Sequence, residues 1–153
     1  MDLRTQIDEK YKSAFKLKHI EETNTLRLIR SAIKNKDIEN RSSGNKELIN
    51  DQQILSVLQS LVKQRRDSIE SFQAASRNDL IDKEKKEIEI INQFLPKQLG
   101  EDEIITIIEK FVFDNNISSI KEIGKIMGYL KSNHAGSINM GIAGSIVKDL
   151  LGN

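Results

Sequence analysis

Apolar residues recur at three- and four-residue steps along most of the chain, the period of helices that bury one face. Leu3, Ile7, Tyr11, Ala14 and Phe15 form a first stripe. After a polar break at about His19 to Asn24 come Leu26, Ile29 and Ile33, with Leu28 and Ala32 alongside. The polar run Arg41 to Lys46 is too short to separate two cores and reads as a surface loop. Asn50 then stands three residues before Gln53, a helix-capping pattern. Ile54, Leu58, Leu61, Val62, Ile69 and Phe72 continue it as a third helix of about seven turns. Arg77-Asn78-Asp79 closes that helix and caps a fourth, carrying Leu80, Ile81, Ile88, Ile91 and Leu95. Pro96 stops it, because its ring and missing N–H do not continue a helix.

Three shorter helices are predicted beyond the proline. The first opens at Gly100 with Glu101, Asp102 and Glu103, acids that suit the positive end of a helix, and buries Ile104, Ile107, Ile108, Phe111 and Val112. Ser119 followed by Glu122 fits a capping box for the second, whose inner face is Ile120, Ile123, Met127 and Leu130. A turn at Asn133 to Gly136 leads to the third, from about Asn139, burying Ile142, Ile146, Val147, Leu150 and Leu151. The expectation is an all-α protein: a four-helix unit over 1–96, then a three-helix unit over 97–153.

Composition narrows the chemistry. With no cysteine, disulfides, thiolate metal sites and cysteine nucleophiles are excluded, which suits a reducing cytosol or organelle matrix. The start is polar and acidic, unlike a secretory signal, and no apolar run approaches the ~20 residues that span a bilayer. A cytoplasmic protein without a membrane partner is expected. The net charge of +1 does not announce nucleic acid by itself, but its distribution is uneven. Residues 97–117 carry two lysines against five acids, and residues from 118 onward carry four lysines against two acids.

His19 and His134 are the only neutral-pH proton carriers, each in a predicted turn and far in sequence from a hydrolase pattern. Two isolated histidines without cysteine or paired carboxylates do not complete a metal site. No catalytic residue, metal or cofactor is therefore assigned. Gly124-Lys125-Ile126-Met127-Gly128 lacks the Lys-Ser/Thr end of a phosphate loop and reads as helix. Glycines at i and i+4 make a flat strip at a cost of about 1 kcal/mol each relative to alanine. Two readings stay open: close approach of an RNA backbone, with Lys121, Lys125 and Lys131 around the strip, or packing against the fifth or seventh helix.

Arg27, Arg30 and Lys34 on the second helix, with Lys63, Arg65 and Arg66 on the third, make a second candidate basic surface. A solvated face is its commoner explanation. Lys83 with Glu87 and Lys85 with Glu89 have the spacing of i,i+4 pairs. Arg65 sits where the stripe calls for an apolar residue, so it needs a partner. If the third and fourth helices form a hairpin, that partner lies between Glu84 and Glu89, with Glu84, Glu87 and Glu89 as the candidates.

Several segments in combination carry a family resemblance. They are Thr25-Leu26-Arg27 with Ala32-Ile33-Lys34-Asn35, Lys63-Gln64-Arg65-Arg66-Asp67-Ser68-Ile69-Glu70, and Asp79-Leu80 with Lys83-Glu84 and Glu87-Ile88. Phe94-Leu95-Pro96-Lys97-Gln98-Leu99, the Gly124 to Gly128 segment and Val147-Lys148-Asp149-Leu150-Leu151 complete the set. In order and spacing they resemble the stand-alone GatB/YqeY proteins over essentially the whole chain. That family is related to the C-terminal tail of the B subunit of tRNA-dependent amidotransferases, and similar modules are fused to some glutaminyl-tRNA synthetases.

The resemblance implies four helices followed by three, and a tRNA-binding appendage whose contact face carries over onto Lys121, Gly124, Lys125, Gly128, Lys131 and Lys148. The family label, carbon–nitrogen ligase with glutamine as amido-N-donor, describes a complete complex whose kinase-like cradle and amidase subunit are not encoded here. Relatives often have a lysine near the start of the last helix, where this chain has Gly141. The leading expectation is a non-catalytic tRNA-binding accessory protein working with an aminoacyl-tRNA synthetase or amidotransferase complex. A protein–protein adaptor in such a complex is the alternative, and an amidotransferase catalytic component ranks last.

Overall fold

Asp2 accepts the Thr5 N–H at 2.8 Å and opens α1, Leu3–Lys16. It is followed by α2 (Ile20–Ser42), α3 (Asp51–Ala74), α4 (Asn78–Asn92), α5 (Glu101–Asp114), a 3-10 turn over Ile120–Glu122, α6 (Ile123–Asn133) and α7 (Met140–Leu151). This computed structural model describes residues 1–152, and no strand occurs among them. The chain divides into two units, Met1–Leu95 and one from Pro96 onward, so the division falls one residue before the proline boundary read from the sequence. Asn153, the last residue of the expected second unit, lies outside the described residues.

In the first unit Ile7, Leu26, Ile29, Ile54, Leu58 and Ile91 are fully buried, which puts all four helices on one core. The reciprocal Asn50–Gln53 capping box begins α3, and Ser76, with φ 55°, turns the chain back into α4. Arg65, itself buried, donates from Nε to Glu87 Oε2 at 2.8 Å and from a terminal guanidinium nitrogen to the Leu61 carbonyl at 3.0 Å. Glu89 is exposed. Burial beside Glu87 pushes the Glu84 carboxyl above its usual range, with Arg65 opposing. Because Glu87 is turned to Arg65, the Lys83–Glu87 pair does not form, nor does Lys85–Glu89 among the described residues.

A second buried charge organises the α1–α2 side. Asp37 receives both terminal guanidinium nitrogens of Arg4 at 3.0 Å and the Ile49 N–H at 2.9 Å, which pins the 43–50 loop to α2. The Arg4 guanidinium holds the Asp37 carboxyl below the usual carboxylate range, against the opposing effect of burial.

The polar break expected at His19 to Asn24 is largely helix. Thr23 and Thr25 are buried there, and their hydroxyls donate back to the His19 and Glu21 carbonyls, so the helix carries its own polar side chains inward. Phe15, placed on the core stripe by periodicity, is 61% exposed.

In the second unit Ile104, Ile108, Ile126, Leu130, Ile138 and Val147 are fully buried. Phe111 of α5 stacks on Tyr129 of α6 with ring centroids 4.5 Å apart. The expected capping box at Ser119 is not made: the Ser119 hydroxyl accepts the Lys121 N–H at 3.2 Å in the 3-10 turn, and Glu122 pairs with Lys125 instead. Asn139 does cap α7, accepting the Ile142 N–H at 3.1 Å. Ile142 and Leu150, expected inside, are 41% and 44% exposed because α7 buries only Ala143, Ile146 and Val147.

Removing the Arg65 head group leaves Glu87 inside without its donor. Arg65→Ala should therefore lose about 3 kcal/mol, read as a lower urea midpoint with unchanged slope, and an unchanged midpoint would contradict the role given to the pair. For Asp37, the folded carboxyl takes up a proton less readily than the unfolded one. Its stabilisation is complete above the unfolded value of about 4 and disappears as pH falls through the lower folded value. An Asp37→Asn protein should accordingly show a shallower acid loss of stability than the parent in urea titrations run from neutral to acid pH.

Candidate nucleic-acid interface

The roll of α6 follows from its composition. Ile126 and Leu130, one turn apart, are fully buried, and a helix at 3.6 residues per turn then sends positions 124, 128 and 131 to the other side. Gly124, Lys125, Gly128 and Lys131 are all exposed, as is Lys121 in the preceding 3-10 turn. A Cβ built at Gly124 or Gly128 would have open space around it, with no atom within 4 Å. Packing against α5 or α7 is thus not what these glycines serve, and the helix carries their propensity cost without an internal return.

The lysines beside the strip, Lys121, Lys125 and Lys131, are exposed. Lys125 reaches Glu122 at 3.4 Å, but its side chain is 71% exposed and an exposed pair of this kind is worth little. The structure brings Lys121, Gly124, Lys125, Gly128 and Lys131 onto one stretch of chain, while Lys148 is exposed on α7. Gly141, at the position of the family's extra lysine, lies in the first turn of α7 beside the cap Asn139.

The second candidate basic surface is mostly committed to structure. Arg30 pairs with Asp8 at 2.9 Å and lies 4.3 Å from the centroid of the Tyr11 ring; Arg27 donates to the Tyr11 hydroxyl at 3.3 Å. Arg27, by that bond, draws the Tyr11 hydroxyl below its ordinary pKa. These contacts clasp α1 to α2. Arg65 is spent on Glu87, and Lys63 lies 3.6 Å from Asp67. Among the described residues Arg27, Lys34 and Arg66 of the set are exposed with no ion pair, Arg27 being held to the Tyr11 hydroxyl and Arg66 standing on a different helix from the other two. Sequence reasoning missed the Tyr11–Arg30 and Arg4–Asp37 contacts, since both join residues far apart in the chain.

The histidines do not gather a catalytic group. His19 is 3.5 Å from Glu22, and His134 sits edge-on to Tyr129 with ring centroids 6.0 Å apart. Among the described residues no group of three metal-ligating side chains forms, and no helix is long and apolar enough to cross a membrane.

The Yqey-like protein family model matches residues 4–151, nearly the whole chain. The chain belongs to the YqeY-like family. Among curated proteins, it is similar to "Altered inheritance of mitochondria protein 41, mitochondrial" of Candida glabrata, at 36% identity over 55% of this chain and 44% of that protein. The protein of the same name from Lachancea thermotolerans is 38% identical over 46% of this chain and 36% of its own length. An uncharacterized Schizosaccharomyces pombe protein is 31% identical over 63% of this chain and 74% of its own. This YqeY-like chain therefore spans less than half the length of the two mitochondrial relatives it matches.

Proposed function

We propose that the protein is a non-catalytic tRNA-binding accessory factor that uses the outer face of α6, and that it works beside an aminoacylating or transamidating complex. The observation that carries this reading is the open space over Gly124 and Gly128 between exposed lysines. A helix that gives up two side chains in a row on its solvent face lets another backbone come within van der Waals reach. Lysine ammonium groups around such a strip suit phosphates, which supply most of the sequence-independent affinity for nucleic acid. The family relation to the amidotransferase tail supplies tRNA as the RNA. We propose the cytoplasm as the compartment, although two relatives are named as mitochondrial proteins.

One observation favours a second reading, the adaptor. Phe113 of α5 is 82% exposed and Leu150 of α7 is 44% exposed, and both line a shallow groove with Val112, Ile117 and Leu151. An amphipathic helix of a partner subunit would fit such a groove.

The two readings separate in one set of gel shifts with tRNA at low salt. Lys121→Glu/Lys125→Glu/Lys131→Glu should abolish the shift. Gly124→Ala/Gly128→Ala should weaken it at least about tenfold, the scale of one lost close contact, while melting no lower than the parent because alanine favours the helix. A parent that never shifts tRNA, or variants that shift it as the parent does, would defeat the proposal. An RNase-resistant complex with a defined subunit that Phe113→Ser destroys would install the adaptor instead.

A further inference from the structure

The turn between α1 and α2 has no part in the RNA-binding face and is unlike the rest of the first unit's surface. Phe15, Leu17 and Ile20 are 61%, 62% and 72% exposed within six residues, whereas the other exposed large apolar residues of that unit, Met1, Leu28, Ile38 and Leu48, occur singly. Lys16 and Lys18 are interleaved with them and Lys12 precedes them; all three are exposed, with no ion pair among the described residues. There is no acid between Glu9 and Glu21. Of the flanking acids, Glu22 is matched with Lys10 at 3.5 Å and Glu21 with Lys86 at 3.6 Å, while Glu9, three residues before Lys12, is exposed. Three lysines against Glu9 alone leave the tip with a net positive charge.

Its backbone is set in advance. The His19 N–H donates to the Ala14 carbonyl at 3.0 Å and the Lys18 N–H to the Phe15 carbonyl at 3.2 Å. Lys18 takes the left-handed conformation, φ 59°, that favours glycine, and it places a cation at the apex of the turn. Phe15, Leu17 and Ile20 are thus exposed beside Lys16 and Lys18 at the α1–α2 turn, with Lys12 one turn earlier in α1.

We propose that this tip is a peripheral docking element for an anionic lipid surface. A partner helix seeks a groove, and this feature protrudes. A bilayer interface accepts a protruding apolar group to the depth of the acyl boundary, while lysine stems lie along it and carry their ammonium groups to the headgroups. Anionic headgroups complement the unmatched charge. RNA would satisfy the lysines and stack on Phe15, but it offers nothing to Leu17 and Ile20. The length argument against a membrane partner excludes crossing the bilayer and leaves contact with its surface open.

The chain has no tryptophan, so Phe15→Trp introduces a sole reporter at an exposed position. With vesicles of phosphatidylcholine and phosphatidylglycerol at low salt, its emission should shift to the blue. Partitioning should be at least about tenfold stronger than onto phosphatidylcholine alone and should weaken as salt is raised. Leu17→Ser/Ile20→Ser in the Phe15→Trp background should lose the shift, and Lys12→Glu/Lys16→Glu/Lys18→Glu should lose the preference for the anionic lipid. Phe113→Trp, in the other unit, should stay unshifted. Flotation of the unsubstituted protein with the same vesicles checks that the reporter has not created the binding. No blue shift and no flotation would overturn the proposal. So would equal binding to both vesicle types, a shift at Phe113→Trp alone, or a shift produced by tRNA without vesicles.

Discussion

Ile126 and Leu130 decide which way α6 faces, and the functional reading depends on that choice. Both are fully buried among Ile104, Ile108 and Val147, and rolling the helix would withdraw them from the core of a small unit. Removing either from water contributes about 2 kcal/mol, so the roll is held far more strongly than two glycines can oppose it. With the inner face fixed, Gly124 and Gly128 have no choice but to face solvent. Their cost to the helix is then unreturned within the protein, and a close-approaching ligand is the simplest thing that returns it.

The two units handle charge in opposite ways. In the first, arginines are turned inward or sideways: Arg4 onto Asp37, Arg30 onto Asp8 and the Tyr11 ring, Arg65 onto Glu87. Each joins one helix to another element. Arginine suits the task because its planar fork makes several directed bonds and it stays charged when half-buried. In the second unit the cations beyond residue 118 are all lysines, exposed, on a segment where acids are few. On α2 and α3 half of the candidate basic side chains, Arg30, Lys63 and Arg65, are engaged with acids.

Much of the architecture was legible in the apolar spacing, because Ile, Leu and Val stripes at helical period admit few alternatives. The seven helices follow from them, the boundary near Pro96 is read from the proline itself, and the odd charge at Arg65 points to a partner across the α3–α4 hairpin. What the sequence hid depended on contacts between distant residues or on local back-bonding. Thr23 falls within the expected break and is buried helix, as is Thr25 just after it, because their hydroxyls use the carbonyls one turn back. Asp37 is a buried hub that no local spacing announces, because Arg4 and the Ile49 N–H arrive from outside its helix. Ser119 and Glu122 have the spacing of a capping box, yet a 3-10 turn places the serine hydroxyl against a nearer N–H. For the α6 face, sequence named the residues but left two explanations for the glycines, and the open space above them argues against close packing on α5 or α7.

The central claim is that nucleic acid comes to rest on the glycine strip of α6. Amide NMR of the full chain titrated with tRNA tests it directly, since Gly124 and Gly128 report from the middle of the strip. The account predicts that their resonances, with Lys121 and Lys125, move or broaden first and saturate together, while Arg27, Arg30 and Phe113 stay in place. Perturbations centred on α2 or on the α5–α7 groove, with the two glycines unmoved at saturation, would contradict it.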